Sequence, residues 1–129
     1  MGDTMDMAAK FEEVLQTGDF GRVNELVKEW AADDFVQEWP QSGERIRGAD
    51  SALAIDRNFP GGMPSMTPRR TLAQGDLAIS ETELTYADGS RYLGVSVMEF
   101  RDGLISKETD YFAEPFAPPQ WRAQWVERM

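Results

Sequence analysis

The spacing of hydrophobic residues changes near Pro68, and this change constrains the fold more than any other feature of the chain. Before Pro68 the apolar residues recur three and four positions apart, which is typical of helices; beyond it they alternate, which is typical of strands. Asp-Gly pairs, the strongest short hairpin signal, follow two of the alternating runs. We therefore predict an α+β fold, with helices covering one face of a curved, mostly antiparallel sheet. The expected strands of this sheet are 71–74, 77–86, 91–100 and 104–112.

The first 68 residues predict three helices and two short strands. A first helix should end at Gly18, and Asp19 should cap a second one. A third should start at Asp50 or Ser51 and stop before Pro60. The short strands are expected at 34–38 and 44–47, and we expect 61–68 to form a mobile loop because it holds two glycines and two prolines. The apolar faces of the first two helices are Met7, Phe11, Val14 and Leu15, and Val23, Leu26, Val27 and Trp30.

Composition limits the chemistry more sharply than it limits the fold. A chain of 129 residues with 41% hydrophobic residues predicts one domain, 1–129, with its own core. It contains no cysteine and no histidine, which excludes thiol nucleophiles, histidine bases and the usual zinc sites. Acid–base chemistry would therefore use carboxylates, tyrosine or lysine, and we expect no metal and no cofactor.

Charge and hydropathy limit the partners and the cellular compartment of the protein. A formal net charge of -10 disfavours nucleic acids and anionic membranes as partners. No apolar run approaches the length of a membrane-spanning helix, and the first ten residues lack the pattern of a signal peptide. These features predict a cytoplasmic protein.

Asp110 is the candidate functional residue with the strongest physical argument. It lies on the last predicted strand, beside Tyr111 and among apolar residues, so we expect it to be buried away from water. A buried carboxyl requires a hydrogen-bonding partner, a proton or a catalytic task. Acid–base catalysis and a purely structural hydrogen bond both satisfy this requirement.

Three segments of the chain carry a resemblance to a known family: ADDFVQEWPQSGERIRGADSA (32–52), EFRDGLISKETDYF (99–112) and AEPFAPPQWRAQW (113–125). Together with the order of the predicted elements, they resemble the SnoaL-like branch of the nuclear transport factor 2-like superfamily. The resemblance implies a cone: a bent sheet covered by the three helices, with a deep apolar pocket inside and a short helical cap at the C-terminus. It also implies a homodimer.

The resemblance implies catalytic roles for particular residues. Asp110 matches the catalytic acid of limonene epoxide hydrolase-type members and the single acid of SnoaL-type polyketide cyclases. Glu83 is the nearest carboxylate to the place of their second acid, but the accompanying arginine is missing. Trp39 stands where ketosteroid isomerase-type members carry their base, and Ser96 stands near the place of their oxyanion-stabilising acid. Steroid isomerase chemistry is therefore disfavoured.

The functional hypothesis is an apolar pocket that binds a small hydrophobic, uncharged organic molecule. Asp110 would perform cofactor-free acid–base chemistry there, as a cyclase, an isomerase or an epoxide hydrolase, with Glu83 as a second acid. The alternative is a non-catalytic binding or dimerisation module of the same fold. Trp121 and Trp125 are four residues apart on a predicted terminal helix and are expected to pack. The expected substrate-binding residues are Trp39, Phe59, Met63, Tyr86, Ser96, Tyr111 and Phe112.

Overall fold

The computed structural model describes residues 4–129, except for the side chains of residues 4–6, 8 and 12. Two helices, two strands, a third helix and four more strands follow one another along the chain, and a 3-10 helix follows them. The helices are α1 (Thr4–Leu15), α2 (Phe20–Glu29) and α3 (Ala49–Arg57), and the 3-10 helix is Gln120–Trp125. The strands are β1 (Ala31–Trp39), β2 (Glu44–Arg47), β3 (Ser65–Gln74), β4 (Leu77–Thr85), β5 (Arg91–Arg101) and β6 (Leu104–Ala113).

The six strands form one curved sheet in the order β2-β1-β6-β5-β4-β3. All neighbours are antiparallel except β1 and β6, which run parallel. The parallel pair brings the first strand of the chain beside the last one, so residues more than 70 positions apart become neighbours. The predicted curved, mostly antiparallel sheet with helices on one face is confirmed.

The core lies between the inner face of the sheet and the helical hairpin. The apolar face predicted for α1 is buried, as are Val23, Leu26 and Val27 of α2. Asp19 caps α2 as expected, because its side chain accepts the backbone N–H of Arg22 at 3.1 Å. Gly18 makes the tight turn between the two helices with a φ of +72°. A side chain there would also meet the carbonyl oxygen of Met66, 3.0 Å from the position of its Cβ.

Two boundaries differ from the sequence prediction. The third helix is capped by Gly48, so Asp50 and Ser51 lie inside it and neither provides the cap. Residues 65–68 belong to β3 and not to a mobile loop, and Met66 is buried in the core. Pro68 is tolerated because β3 is the edge strand of the sheet, next to a bulge at Arg69, where a missing N–H costs little.

The C-terminal segment crosses the end of the sheet with its aromatic side chains in solvent. Trp121 and Trp125 are 73% and 72% exposed, and Phe116 is 78% exposed. The two tryptophans therefore do not close the base of the cone within the single chain, and their packing against a dimer partner stays a prediction. Among the helices of residues 4–129, none has the length and hydrophobicity needed to cross a bilayer.

Candidate functional site

Asp110 lies on the inner face of the sheet, on β6, which pairs with β1 on one side and with β5 on the other. Its side chain is 3% exposed and accepts three hydrogen bonds. Ser96 Oγ donates to Oδ1 at 2.7 Å, while Gln37 Nε2 and Trp39 Nε1 donate to Oδ2 at 2.6 and 3.0 Å. These three donors give the buried carboxyl the hydrogen-bonding partners that it would otherwise find in water. The arrangement follows from strand register, because Ser96 is directly opposite Asp110 on β5.

Glu108 lies two residues before Asp110 and therefore projects from the same face of β6. It is 7% exposed, and its Oε2 atom accepts a second hydrogen bond from Gln37 Nε2, at 3.0 Å. The Gln37 amide thus bridges the two carboxyls. Burial raises the pKa of Glu108 well above its ordinary value, and the negative charge of Asp110 raises it further. Glu108 therefore keeps its proton to a higher pH than an ordinary glutamate does.

A third carboxyl, Asp56, reaches the same region from α3. Burial raises its pKa to about 6, the Asn24 side chain acts in the opposite direction by hydrogen bonding, and the charge of Asp110 adds a smaller upward contribution. Asp56, Glu108 and Asp110 line one narrow cavity of about 90 Å³. Across the described part of the chain, no three carboxylates are arranged so that they could hold a metal ion.

A wider cavity of about 640 Å³ opens above Asp110. Asp110 lines both cavities, so the narrow polar one forms the base of the wide one. Phe59 and Tyr86 are stacked with ring centroids 5.6 Å apart, and Tyr92 meets Tyr86 edge to face at 5.2 Å. Burial raises the pKa of Tyr86, and the neighbouring Tyr92 contributes, so the Tyr86 hydroxyl keeps its proton. The aromatic residues lining the wide cavity are Trp39, Phe59, Tyr86, Tyr92 and Phe112.

Most of the predicted site residues meet in these cavities. Trp39, Phe59, Tyr86 and Phe112 line both of them, and Met63 and Ser96 line the narrow one. Trp39 and Phe112 pack edge to face, with ring centroids 6.4 Å apart.

Two predicted site residues lie elsewhere. Glu83 projects from the outer face of β4, where it pairs with Arg69 at 2.6 Å and Arg91 at 3.4 Å. The inner face of β4 carries the residues between the glutamates, including Thr82 and Leu84, which are buried. Tyr111 is 43% exposed on the outer face of β6, because neighbouring residues of a strand point to opposite sides. The expectations that Glu83 joins Asp110 and that Tyr111 lines the pocket are therefore wrong.

Sequence reasoning missed Glu108, Gln37 and Asp56. For Glu108 a signal existed: a separation of two residues on a strand places it on the face of Asp110. Gln37 had no such signal, since its role depends on the parallel pairing in which it faces Glu108 across β1 and β6. Asp56 looks like an ordinary exposed helix residue until α3 is placed over the sheet.

The chain is similar to known proteins over nearly its whole length. Residues 8–108 match the SnoaL-like domain family. An NTF-2 like protein of unknown function from Burkholderia xenovorans is 32% identical, with a TM-score of 0.80 and 99% of each chain covered. A protein from Kribbella flavida provisionally assigned as a ketosteroid isomerase is 34% identical, with a TM-score of 0.82 over 98% of this chain and 91% of its own. An LEH-like epoxide hydrolase from M. tuberculosis shares the fold at 24% identity, with a TM-score of 0.62 and 83% of each chain covered. No curated protein matches the chain.

Proposed function

The chain belongs to the SnoaL-like family of the nuclear transport factor 2-like superfamily, and from this we propose that it is a cofactor-free acid–base enzyme acting on a small organic molecule. The molecule has a largely apolar body that occupies the wide aromatic cavity. Its reacting group reaches the polar base, where Asp110 moves a proton. The observation that carries this proposal is the pair of adjacent carboxyls at the base, in which Asp110 accepts three hydrogen bonds and burial raises the pKa of Glu108.

Two neighbouring carboxyls with different proton affinities supply a base and an acid in one place. The Asp110 carboxylate accepts a proton from a substrate carbon or from an attacking hydroxyl group. Glu108 or the Tyr86 hydroxyl donates a hydrogen bond or a proton to the substrate oxygen on which negative charge develops. Where only a hydrogen bond is donated, return of the proton from Asp110 to another substrate atom completes the cycle. Where Glu108 or Tyr86 has given up its proton, the proton held by Asp110 returns to that group.

This chemistry fits three reaction types: isomerisation, cyclisation and opening of an epoxide by water. All three require a proton to move at an apolar substrate, and all three occur among proteins of this fold. Trp39 stands where ketosteroid isomerase-type members carry their base, so the proton here would move through Asp110, to which Trp39 Nε1 donates a hydrogen bond at 3.0 Å.

The reaction type can be found without knowledge of the natural substrate. The protein would be incubated with a panel of aryl-substituted epoxides, β,γ-unsaturated ketones and polyketide-like 1,3-diketones in D₂O, and NMR would detect deuterium incorporation and new products. We expect exchange or turnover of one class by the wild-type protein and its loss in Asp110→Asn. Turnover that is unchanged in Asp110→Asn would overturn the assignment of Asp110.

One observation favours a non-catalytic alternative. The three hydrogen bonds to Asp110 all come from the protein itself, so the carboxylate can serve to hold Gln37, Trp39 and Ser96 in place. A binding module with this architecture would retain ligands without turnover. Tight binding of panel members, with no exchange at any pH, would favour this alternative over catalysis.

We also propose that the protein is a homodimer built on the outer face of its sheet. An apolar strip on this face includes Leu93, Val95 and Val97 of β5. Strand register extends it to Tyr111 of β6 on one side and to Ile79 of β4 on the other. Leu93 is 45% exposed, and Leu72 of the edge strand, beside Ile79, is 64% exposed. A continuous apolar strip on a surface is typical of an interface. The exposed tryptophans of the C-terminal segment would gain partners in the same assembly.

A further inference from the structure

The two cavities are lined by carboxyls and by no basic side chain. The carboxyls at the base are those of Asp56, Glu108 and Asp110. Asp88 lies at the mouth, where its carboxylate accepts a hydrogen bond from the Ser90 hydroxyl. In the part of the chain that the structure describes, neither an arginine nor a lysine lines the wide or the narrow cavity. Buried carboxylates usually have a cationic partner within reach.

No ion pair in the described part of the chain reaches the carboxyls at the base. The ion pairs in the described residues join surface groups, and none of them includes Asp56, Glu108 or Asp110. Lys28 comes nearest, because it lines a small crevice behind Asp56 and Glu108, but its Nζ atom lies 3.2 Å from Asp50 on the surface. The carboxyls of the base therefore have no lysine or arginine partner among the described residues.

The walls of the wide cavity suit a positive charge as well. Its five aromatic rings, those of Trp39, Phe59, Tyr86, Tyr92 and Phe112, surround the space above Asp110. The face of an aromatic ring attracts a cation, and the attraction strengthens when water is excluded. An aromatic enclosure above these carboxyls favours a cation with an apolar body over a neutral molecule of the same shape.

We infer that the occupant of this cavity is a lipophilic organic cation, either an amine protonated at neutral pH or a quaternary ammonium compound. Its charged nitrogen lies over Asp110 and Asp56, and its apolar body lies among the aromatic rings. This inference rests on the proposed function and refines its ligand class. It differs from the uncharged ligand expected from sequence, which followed from the apolar pocket that the family resemblance implies.

The carboxyls also give the interaction a defined pH dependence. The groups facing the cation are Asp56 from α3, Glu108 and Asp110 from β6, Tyr86 after β4 and Asp88 at the mouth, with Lys28 of α2 behind them. Because the pKa of Asp56 is about 6, this group gains its negative charge as the pH rises through that value. Affinity for a permanent cation should therefore rise between pH 5 and pH 7.5.

The test compares benzyltrimethylammonium with neopentylbenzene, its uncharged carbon isostere, by ligand-observed NMR at physiological salt. We expect the cation to bind at least about tenfold more tightly at pH 7.5, which corresponds to about 1.4 kcal/mol. The preference should shrink at pH 5. The preference should be lost in the double variant Asp56→Asn/Asp110→Asn, while this variant should bind neopentylbenzene as tightly as the wild-type protein does. Glu83→Gln, which removes one negative charge from the outer face, should keep the preference.

Three outcomes would overturn the inference. Equal or tighter binding of neopentylbenzene to the wild-type protein would show a neutral-ligand site and would leave the proposed function standing. A preference for the cation that survives in the double variant Asp56→Asn/Asp110→Asn, or that falls equally in Glu83→Gln, would come from the overall charge of the protein and not from the cavity. If neither probe binds, the cavity is not a site for molecules of this size, and the proposed function fails with the inference.

Discussion

Asp110 and Glu108 are two carboxyls on one strand face with different surroundings. Asp110 receives three hydrogen bonds, whereas Glu108 receives one and lies next to the charge of Asp110. The burial of Asp110 follows from its apolar strand and could be predicted from the sequence. Which donors surround it could not, because Gln37 and Ser96 reach it only through pairing across two neighbouring strands.

Glu108 makes stability depend on pH. Because burial raises its pKa in the folded state, the folded protein keeps a proton that the unfolded chain releases above about pH 4.5. The stabilising contribution is complete below pH 4.5 and is lost as the pH rises through the folded pKa. Glu108→Gln stays neutral and can still accept the hydrogen bond from Gln37.

We therefore expect Glu108→Gln to be more stable than the wild-type protein at pH 8, and to differ less from it at pH 5.5. The difference at pH 8 should be about 1.4 kcal/mol for each unit by which the folded pKa of Glu108 lies above its unfolded pKa. Urea unfolding at the two pH values measures it. Glu83→Gln, which affects an ion pair on the outer face, should change the free energy of unfolding by less than about 1 kcal/mol at either pH. A Glu108→Gln variant that is less stable than the wild-type protein at pH 8 would contradict a raised pKa of Glu108 in the folded state.

At the scale of elements, local sequence patterns predicted the helices well and the edge strand β3 poorly. The four-residue repeats of α1 and α2, the cap at Asp19 and the Asp-Gly turns all depend on neighbouring residues, so the sequence contains them. The start of β3 depends on pairing with β4, in which Ser65 faces Thr85 twenty residues away. The prolines and glycines of residues 61–68 therefore predicted a loop, and over 65–68 tertiary pairing overrode that local preference.

The cap of α2 should contribute measurably to the stability of the helical hairpin. Asp19→Ala removes the acceptor of the Arg22 N–H and should lower the free energy of unfolding by about 1 kcal/mol. Asp50→Ala is a suitable control, because Asp50 is fully exposed in the first turn of α3, where Gly48 provides the cap. It should cost less than about 0.5 kcal/mol, as expected for an exposed ion pair. Equal losses in the two variants would contradict a specific capping role.

At the scale of the whole molecule, the fold separates two surfaces of the sheet. The inner surface forms the core and the cavities, and the outer surface carries ion pairs around an apolar strip. The family resemblance predicted the cone and its pocket, since both depend on the order of elements. It did not predict the acidic base of the pocket, because three carboxyls from α3 and β6 converge there only in the folded chain.

Association through the outer strip can be tested with one charge. Leu93→Glu places a carboxylate in the middle of the strip and should convert a dimer to monomers in sedimentation equilibrium, because an unpaired charge in an interface must be desolvated. Leu104→Glu introduces the same charge at the other end of the sheet, at a leucine of similar exposure, 38% against 45%. It should leave the dimer intact. A monomeric wild-type protein, or a dimer that tolerates Leu93→Glu, would contradict the proposed interface.

The most direct test of the central claim, that Asp110 moves a proton at the base of the cavity, is a comparison of rates in two variants. The substrate would be the panel member that wild-type protein exchanges or converts fastest in D₂O, with Asp110→Asn and Glu83→Gln measured alongside. Each variant removes one carboxylate, but only Asp110 lies in the cavity. We predict a loss of at least about 100-fold in Asp110→Asn, the usual contribution of a general acid or base, and less than about twofold in Glu83→Gln. An Asp110→Asn protein that keeps the wild-type rate would contradict the account.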